Sequence, residues 1–278
     1  MRFNIKFQEI IPIGFMSGVF VFVIYRALTL SMTHDESSTL LNLDNYNVYT
    51  SLFNKNVWLS ANNHWLNSMG IKFFTFLGGI NEFSIRLSNV LMFPLFSLSV
   101  YYILKKSGFS YLLMSAVLIF FILNPLLIDF FSLARGYGIG TAFVFAGIAY
   151  YYQYFENLRS SHLVIANLAI ILASLSLFSN VIFFFIFNAA VFIIILLEKK
   201  SLKKYFIITC GSLILLLLLT IVPLTALSKS DEFRWGASTL QASFISFSTD
   251  YLRHTKYFIT YEIALGYIFY NNACFSFG

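Results

Sequence analysis

Long apolar runs constrain this chain more than any other feature of its sequence. A helix needs about 20 apolar residues to cross a bilayer. Seven runs of roughly this length follow one another, and a shorter one comes near the end: 10–30, 83–104, 109–128, 137–155, 163–179, 181–197, 205–227 and 257–270. Only 11% of the 278 residues are charged, whereas a soluble domain has about a quarter. We therefore predict an all-α polytopic membrane protein with seven or eight spans in a single domain, residues 1–278.

The placement of lysine and arginine predicts the orientation of these spans. Short cytoplasmic loops of membrane proteins carry an excess of both residues. If the N-terminus is cytoplasmic, the basic residues of four short segments fall inside: Arg2 and Lys6, Lys105 and Lys106, Arg159, and Lys199, Lys200, Lys203 and Lys204. The net charge of +6 follows from these loops and gives no reason to expect nucleic-acid binding.

Two polar segments, 31–82 and 228–256, then lie on the extracytoplasmic side. The first is too long for a simple connector, since most connections have about 4–6 residues. Within it, 37–53 and 64–77 have the apolar pattern of amphipathic helices that lie in the membrane interface. We expect this first outer loop to carry the functional site.

The densest polar cluster is Thr33-His34-Asp35-Glu36, just after the first span. Two adjacent carboxylates with a histidine supply a general base, a hydrogen-bond acceptor or a metal ligand. The competing interpretation is helix capping, with Asp35 or Ser37 at the start of a helix. The residues alone leave both interpretations open.

A second charged segment separates the third and fourth spans, with Asp129, Arg135, Gly136 and Tyr137. Charged side chains between two apolar spans are energetically costly unless they form ion pairs or have a function such as substrate binding. One interpretation is an Asp129–Arg135 ion pair at a turn. The other is an arginine that binds an anionic lipid head group, because guanidinium groups bind phosphate in a bidentate manner.

Three further ionisable residues have both a structural and a functional interpretation. Arg86 either pairs with Glu82, four residues earlier on the same helix, or faces the same outer cavity as Asp35. His64 follows Asn62-Asn63 and is either a substrate contact or an interfacial histidine with no role. Arg26, inside the first span, is expected to extend its side chain towards the interface.

The order of these motifs resembles the GT-C superfamily of membrane glycosyltransferases. The nearest types are the bacterial relatives of protein O-mannosyltransferases and of lipid A aminoarabinose transferases. The resemblance covers about residues 10–155, and its most specific parts are His34-Asp35-Glu36, 82–87 and 124–137. Relatives often have prolines after the position of His64, whereas this chain has Trp65-Leu66. They also continue beyond its C-terminal end, so we expect either a fragment or a member whose later part is missing or encoded separately.

The resemblance implies a GT-C-like bundle with an extracytoplasmic active site in the bacterial inner membrane. The donor would be a polyprenyl-phosphate sugar, and the acceptor a lipid, glycan or protein. Asp35, supported by Glu36, would be the catalytic base, and Arg135 with Arg86 would bind the donor phosphate. The remaining candidates for substrate contacts are His34, His64, Tyr137 and Asp129.

No cofactor is implied, and a divalent metal has no supporting ligand pattern. The rival hypothesis is a transporter or flippase for lipid-linked sugars, which should place ionisable residues near the membrane midplane. Apart from Arg26, the predicted spans have almost none. A third hypothesis is a non-catalytic subunit, which the short C-terminal part would fit.

Overall fold

In the computed structural model, the described residues are 7–43, 64–198 and 202–228. This part of the chain is helical and contains no strand, which confirms the all-α prediction for it. The helices are α1 (Phe7–Thr29), α2 (His34–Leu41), α3 (Trp65–Gly78), α4 (Glu82–Lys106), α5 (Tyr111–Ile122), α6 (Pro125–Ser132), α7 (Tyr137–Asn157), α8 (Ser160–Ser176), a 3₁₀ turn (Phe178–Asn180), α9 (Val181–Leu197) and α10 (Leu202–Leu227).

Among the described residues, four helical segments are long and apolar enough to cross a membrane: Glu9–Thr29, Glu82–Lys106, Phe178–Leu197 and Leu202–Ala226. The predicted third span is divided between α5 and α6, which meet at a bend of 55°. Pro125 causes the break, because proline cannot continue a helix and restricts the residue before it. The Asn124 side chain caps the new helix by accepting a hydrogen bond from the Leu126 N–H. Five segments qualify if this bent pair is one span.

The predicted fourth and fifth spans correspond to α7 and α8, which are not among those four segments. Other helices cover both of them. The glycines and alanines of α7 are buried, and so are most residues in the C-terminal half of α8. The eighth predicted span, 257–270, the outer segment 229–256 and most of the predicted helix 37–53 lie outside the described residues. The described residues thus support several membrane-crossing helices but do not show the predicted number of seven or eight.

The helices pack around two apolar cores. Helix α4 is central to the first core, and it contacts α1, α3, α5, α6 and α7. Val23, Phe93, Phe96 and Phe131 are fully or almost fully buried there. The second core lies among α7, α8, α9 and α10, with α7 contributing to the link between the two.

Large apolar side chains on the outer faces of the helices remain exposed. The exposed fraction is 83% for Leu112, 70% for Phe120 and 60% for Leu218. A soluble monomer rarely exposes apolar patches of this extent, whereas lipid covers them at no cost. These surfaces and the long apolar helices are consistent with an integral membrane protein.

Charged side chains gather at the two ends of the helices. At one end, Lys105 pairs with Glu9 at 2.5 Å, and Lys106 pairs with Glu156 at 2.8 Å. These contacts join the start of α1 to the ends of α4 and α7. At the other end, three further ion pairs surround α2 and the turn between α6 and α7.

Candidate functional site

Glu36 and Arg86 form a completely buried ion pair at the end of the first span. Both side chains have an exposed fraction of 0%, and Arg86 Nε donates to Glu36 Oε1 at 2.8 Å. Arg86 Nη2 donates to the other carboxylate oxygen at 2.9 Å. The contact is therefore bidentate, which is the strongest arrangement for these two groups.

The remaining donors of Arg86 close the C-terminal end of α1. Its Nη1 donates to the carbonyl oxygens of Ala27 and Leu30, at 3.0 and 2.7 Å, and Nη2 donates to that of Ser31, at 2.9 Å. All five N–H groups of the guanidinium are thus used inside the protein. Arg86 pairs with Glu36 and not with Glu82, and it has no donor left for a phosphate. We assign it a structural role.

Glu36 also belongs to a capping box at the start of α2. The Thr33 hydroxyl accepts a hydrogen bond from the Glu36 N–H, while Glu36 Oε2 accepts from the Thr33 N–H at 2.8 Å. The cap is therefore Thr33, and neither Asp35 nor Ser37 fills this role, because the Thr-x-x-Glu spacing lets both side chains bond reciprocally.

Burial alone would raise the pKa of Glu36. Hydrogen bonds from Arg86 and from the backbone N–H groups of Ala134 and Thr33 outweigh it and hold the pKa below its usual value. A carboxylate stabilised in its charged form in this way is a poor general base. The structure therefore gives no support to a catalytic role for Glu36.

A chain of buried hydrogen bonds connects Glu36 to the turn between α6 and α7. The Ala134 N–H donates to Glu36 Oε1 at 2.8 Å, and the Ala134 carbonyl accepts from Asn67 Nδ2 at 3.0 Å. Asn67 Oδ1 accepts from Asn89 Nδ2 at 2.7 Å. Because Asn89 and Arg86 lie on the same helix, the chain forms a closed ring that fixes the backbone on one side of Arg135.

Asp35, next to Glu36, forms a different kind of ion pair. Its Oδ2 lies 2.7 Å from Arg135 Nη2, and the exposed fractions of the two side chains are 38% and 37%. Arg135 Nε is buried and has no hydrogen-bond partner among the described residues. The pair thus places a partly exposed carboxylate beside a partly exposed guanidinium.

The structure separates the other charges predicted for this region. Asp129 pairs with Arg26 and not with Arg135, so the predicted Asp129–Arg135 pair is not formed. Arg26 contacts Phe22 as well, with its guanidinium 5.9 Å from the ring centre. His34 is 97% exposed, with Nδ1 3.8 Å from Asp35 Oδ1. Of the predicted residues, Asp35, Arg135, His34, His64 and Tyr137 lie in or beside the same region.

His64 and Tyr137 form the wall of this region behind Arg135. The His64 and Tyr137 rings form an edge-to-face contact with their centroids 5.1 Å apart, and Tyr137 stacks on Phe130 with the ring centroids 4.8 Å apart. His64 is only 8% exposed. Burial lowers the pKa of His64 to about 4, against the opposing influence of a hydrogen bond to the Ser176 backbone and of the nearby Asp35. His64 is thus neutral at pH 7.

Gly136 allows this close packing. Its backbone is left-handed, with φ of +74°, and a Cβ at this position would lie 2.6 Å from His64 Cβ and 3.1 Å from the Ser176 carbonyl oxygen. Only glycine adopts this conformation without strain and leaves the required space. Gly136 therefore lets the turn that carries Arg135 press against His64.

Sequence reasoning missed a second buried polar cluster, which lies among α7 to α10. Asn188 Nδ2 donates to Tyr151 Oη at 3.1 Å and to Asn167 Oδ1 at 3.0 Å, and Asn188 accepts from Tyr205 and Thr209. Single amides inside apolar runs were the available signal, because an amide in lipid must find partners. All members are neutral, so this cluster joins helices and offers no charge to a substrate.

Among the described residues, no group of three His, Cys, Asp or Glu side chains is arranged to hold a metal ion. We find no protein-family model, no curated protein and no solved structure that matches this chain. The candidate site is therefore identified from the geometry around Asp35 and Arg135 alone.

Proposed function

We propose that this chain is a membrane glycosyltransferase that moves a sugar from a polyprenyl-phosphate donor to a lipid, glycan or protein acceptor. The observation that carries the proposal is the partly exposed Asp35–Arg135 pair, which lies on a turn that a buried hydrogen bond from Ala134 to Glu36 holds in place. A carboxylate beside an arginine meets the two needs of this reaction, a proton acceptor and a binder for the leaving phosphate.

In the proposed reaction, Arg135 binds the donor phosphate and Asp35 receives a proton from the acceptor hydroxyl or amine. The bond between the acceptor atom and the anomeric carbon forms as the bond from that carbon to the phosphate oxygen breaks. The electron pair of the broken bond stays on the lipid phosphate, where Arg135 stabilises the charge. The protonated Asp35 then returns its proton to solvent. His34, which is exposed beside Asp35, would contact the acceptor.

We propose further that the site faces the extracytoplasmic side of the bacterial inner membrane, with the N-terminus in the cytoplasm. Lys105 and Lys106 lie at the end of α4, whereas Arg86, near its beginning, belongs to the end that carries the site. The cytoplasmic enrichment of lysine and arginine supports this orientation. A donor in the outer leaflet would reach Arg135 directly from the bilayer.

The decisive experiment compares Asp35→Asn with a matched control. Glu156→Gln removes another carboxylate from a partly exposed ion pair, with exposed fractions of 33% for Glu156 and 40% for Lys106, at the opposite end of the helices. Sugar transfer is measured in membranes with a panel of radiolabelled polyprenyl-phosphate sugars. We expect Asp35→Asn to lower kcat about 10²–10⁴-fold and Glu156→Gln to leave it unchanged. Equal transfer by both variants would remove Asp35 from the mechanism.

Proteoliposomes that contain the purified protein distinguish the alternatives. A transporter for lipid-linked sugars would move the labelled donor across proteoliposomes without forming a product. A non-catalytic subunit would do neither. Arg135→Lys keeps the charge but loses the bidentate fork, so the proposal predicts a higher KM for the donor with a smaller change in kcat than Asp35→Asn gives.

A further inference from the structure

The ion pair between Arg26 and Asp129 joins the first membrane-crossing helix to α6. Arg26 lies in the last turn of α1, and Asp129 lies in the second half of the bent segment formed by α5 and α6. Each side chain is 28% exposed. Ionisable side chains within membrane spans are rare, and they mark either a pairing between helices or a functional site.

The contact between Arg26 and Asp129 engages only one side of each group. Arg26 Nη2 donates to Asp129 Oδ1, and neither side chain makes another hydrogen bond among the described residues. Because both side chains are partly exposed, Arg26 Nη1 and Asp129 Oδ2 are free to bond with a ligand, whereas Arg26 Nε is buried and is not. The Lys106–Glu156 pair differs, since Lys106 Nζ bonds to both carboxylate oxygens of Glu156, at 2.8 and 3.0 Å.

Apolar side chains that face the surroundings of the helices flank Arg26 on α1. Phe22, one turn earlier, is 45% exposed and lies 5.9 Å from the guanidinium, measured to its ring centre. Tyr25 and Leu28 are 60% and 57% exposed. Because α1 ends at Thr29, Arg26 lies near the level of the lipid head groups. A ligand that reaches this pair from the bilayer therefore presents a polar head to it and hydrocarbon to the residues below.

The charges of the pair select the kind of head group. The Arg26–Asp129 pair is neutral as a whole and presents a cationic donor beside an anionic acceptor. A purely anionic head group would be repelled by Asp129, and a purely cationic one by Arg26. A head group with both charges satisfies both residues. A primary ammonium also donates a hydrogen bond to a carboxylate, whereas a quaternary ammonium has no N–H to donate.

We propose that the Arg26–Asp129 pair binds the phosphoethanolamine head group of a membrane phospholipid. The phosphate accepts a hydrogen bond from Arg26 Nη1, and the ammonium donates one to Asp129 Oδ2. The acyl chains lie along the apolar outer face of α1. The inference does not depend on the proposed sugar transfer, because that reaction uses neither Arg26 nor Asp129.

The test measures lipid binding to the purified full chain by native mass spectrometry. The probes are phosphatidylethanolamine, phosphatidylcholine and phosphatidylglycerol with identical acyl chains, and the dissociation constant of the first bound lipid is determined for each. Asp129→Asn removes the charge that faces the ammonium. Glu156→Gln is the matched control, because it removes a carboxylate from a partly exposed ion pair at the opposite end of the helices.

We expect the wild type to bind phosphatidylethanolamine about tenfold more tightly than phosphatidylcholine, because only the primary ammonium donates to Asp129. Phosphatidylglycerol, which has no ammonium, should also bind more weakly than phosphatidylethanolamine. Asp129→Asn should abolish most of the preference for ethanolamine and raise the affinity for phosphatidylglycerol, since the repelling carboxylate is gone. Glu156→Gln should bind all three lipids as the wild type does.

Equal affinity of the wild type for phosphatidylethanolamine and phosphatidylcholine would overturn the inference, and so would tighter binding of phosphatidylglycerol. A preference for ethanolamine that persists in Asp129→Asn, or that Glu156→Gln lowers equally, would overturn it as well. The double variant Arg26→Gln/Asp129→Asn leaves no unpaired charge and gives the same decision if Asp129→Asn does not fold. It should bind the three lipids with similar affinity, and a retained preference for ethanolamine would show that the lipid binds elsewhere.

Discussion

Asp35 and Glu36 are neighbours in the sequence, yet their carboxylates lie in opposite environments. Glu36 pairs with Arg86 where both side chains are completely buried, and it receives hydrogen bonds from Arg86, Ala134 and Thr33. Asp35 pairs with Arg135 where more than a third of each side chain is exposed. The first pair has no unused guanidinium donor, whereas the second leaves Arg135 Nε without a partner among the described residues.

The difference arises in the first turn of α2. The capping box turns Glu36 back towards Thr33 and Arg86, and successive helical positions then direct Asp35 to another side. The buried pair holds Ala134, and Ala134 precedes Arg135 in the turn that carries the exposed pair. One acid therefore supports the turn that carries the arginine partner of the other.

The largest expected effect is that of Glu36→Gln, which tests whether the buried pair supports the fold. It leaves the buried Arg86 charge without its carboxylate, and removing one partner of a buried pair typically destabilises a protein by about 3–5 kcal/mol. In a chain of this size, the thermal unfolding midpoint in detergent should fall by roughly 10 °C. The double variant Glu36→Gln/Arg86→Met removes the stranded charge and should recover part of this loss. A midpoint within about 2 °C of wild type would show that the pair is not a main support.

The pH dependence of stability tests whether His64, which packs behind the Asp35–Arg135 pair, is buried in its neutral form. His64 has a pKa of about 4 in the folded protein and an ordinary value of 6.5, so the unfolded chain binds a proton first as the pH falls. Stability should decrease between pH 6.5 and 4, by up to about 3 kcal/mol. The pKa of Glu36 is also lowered, from 4.5, so its contribution is lost only at more acidic pH.

The unfolding midpoint between pH 7 and 5 isolates His64 from Glu36. We expect His64→Asn to flatten the curve in this range, because the titrating group is gone. His34→Asn is the matched control, since His34 is 97% exposed and its substitution should leave the slope unchanged. Equal slopes in all three proteins would contradict the buried, neutral state of His64.

Gly136→Ala tests whether the turn itself holds Arg135 in place. The new methyl group meets His64 and the Ser176 carbonyl at a left-handed residue, so we expect a loss of about 2 kcal/mol. Gly108→Ala is the control, because Gly108 has a φ of +72° but nothing within 4 Å of the added Cβ. It should lose only the conformational part, about 1 kcal/mol. Identical unfolding midpoints for the two variants would show that His64 does not press on the turn.

The comparison also explains how far the sequence alone could predict this molecule. The apolar runs predicted where most of the long helices lie, but only four of the seven runs within the described residues, or five if the bent pair is one span, give helices long and apolar enough to cross a membrane. They placed one continuous span where Pro125 divides α5 from α6, and this break was visible in the sequence as Asn124-Pro125. The Thr33-x-x-Glu36 spacing likewise predicts a capping box, yet the cap was expected at Asp35 or Ser37, and Thr33 fills it.

The partners of the arginines could not be predicted from spacing. Arg86 lies 50 residues from Glu36, and Arg26 lies 103 residues from Asp129. Helical spacing favours only local partners such as Glu82, while contacts over these distances depend on how helices pack. Asp35 and Arg135 were both predicted as site residues, but the burial of Glu36 and its pairing with Arg86 required the structure.

The smallest expected change in stability comes from Asp35→Asn, and it sharpens the comparison most. A partly exposed ion pair contributes about 0–1 kcal/mol, so the unfolding midpoint should move by no more than about 2–4 °C, against roughly 10 °C for Glu36→Gln. Sugar transfer should show the reverse order relative to folded protein, because Asp35 is the proposed base and Glu36 acts only through the fold. If Asp35→Asn unfolded as readily as Glu36→Gln, its loss of activity would carry no chemical meaning. A stable but inactive Asp35→Asn protein would therefore distinguish a reactive carboxylate from a structural one, one residue apart in the same helical turn.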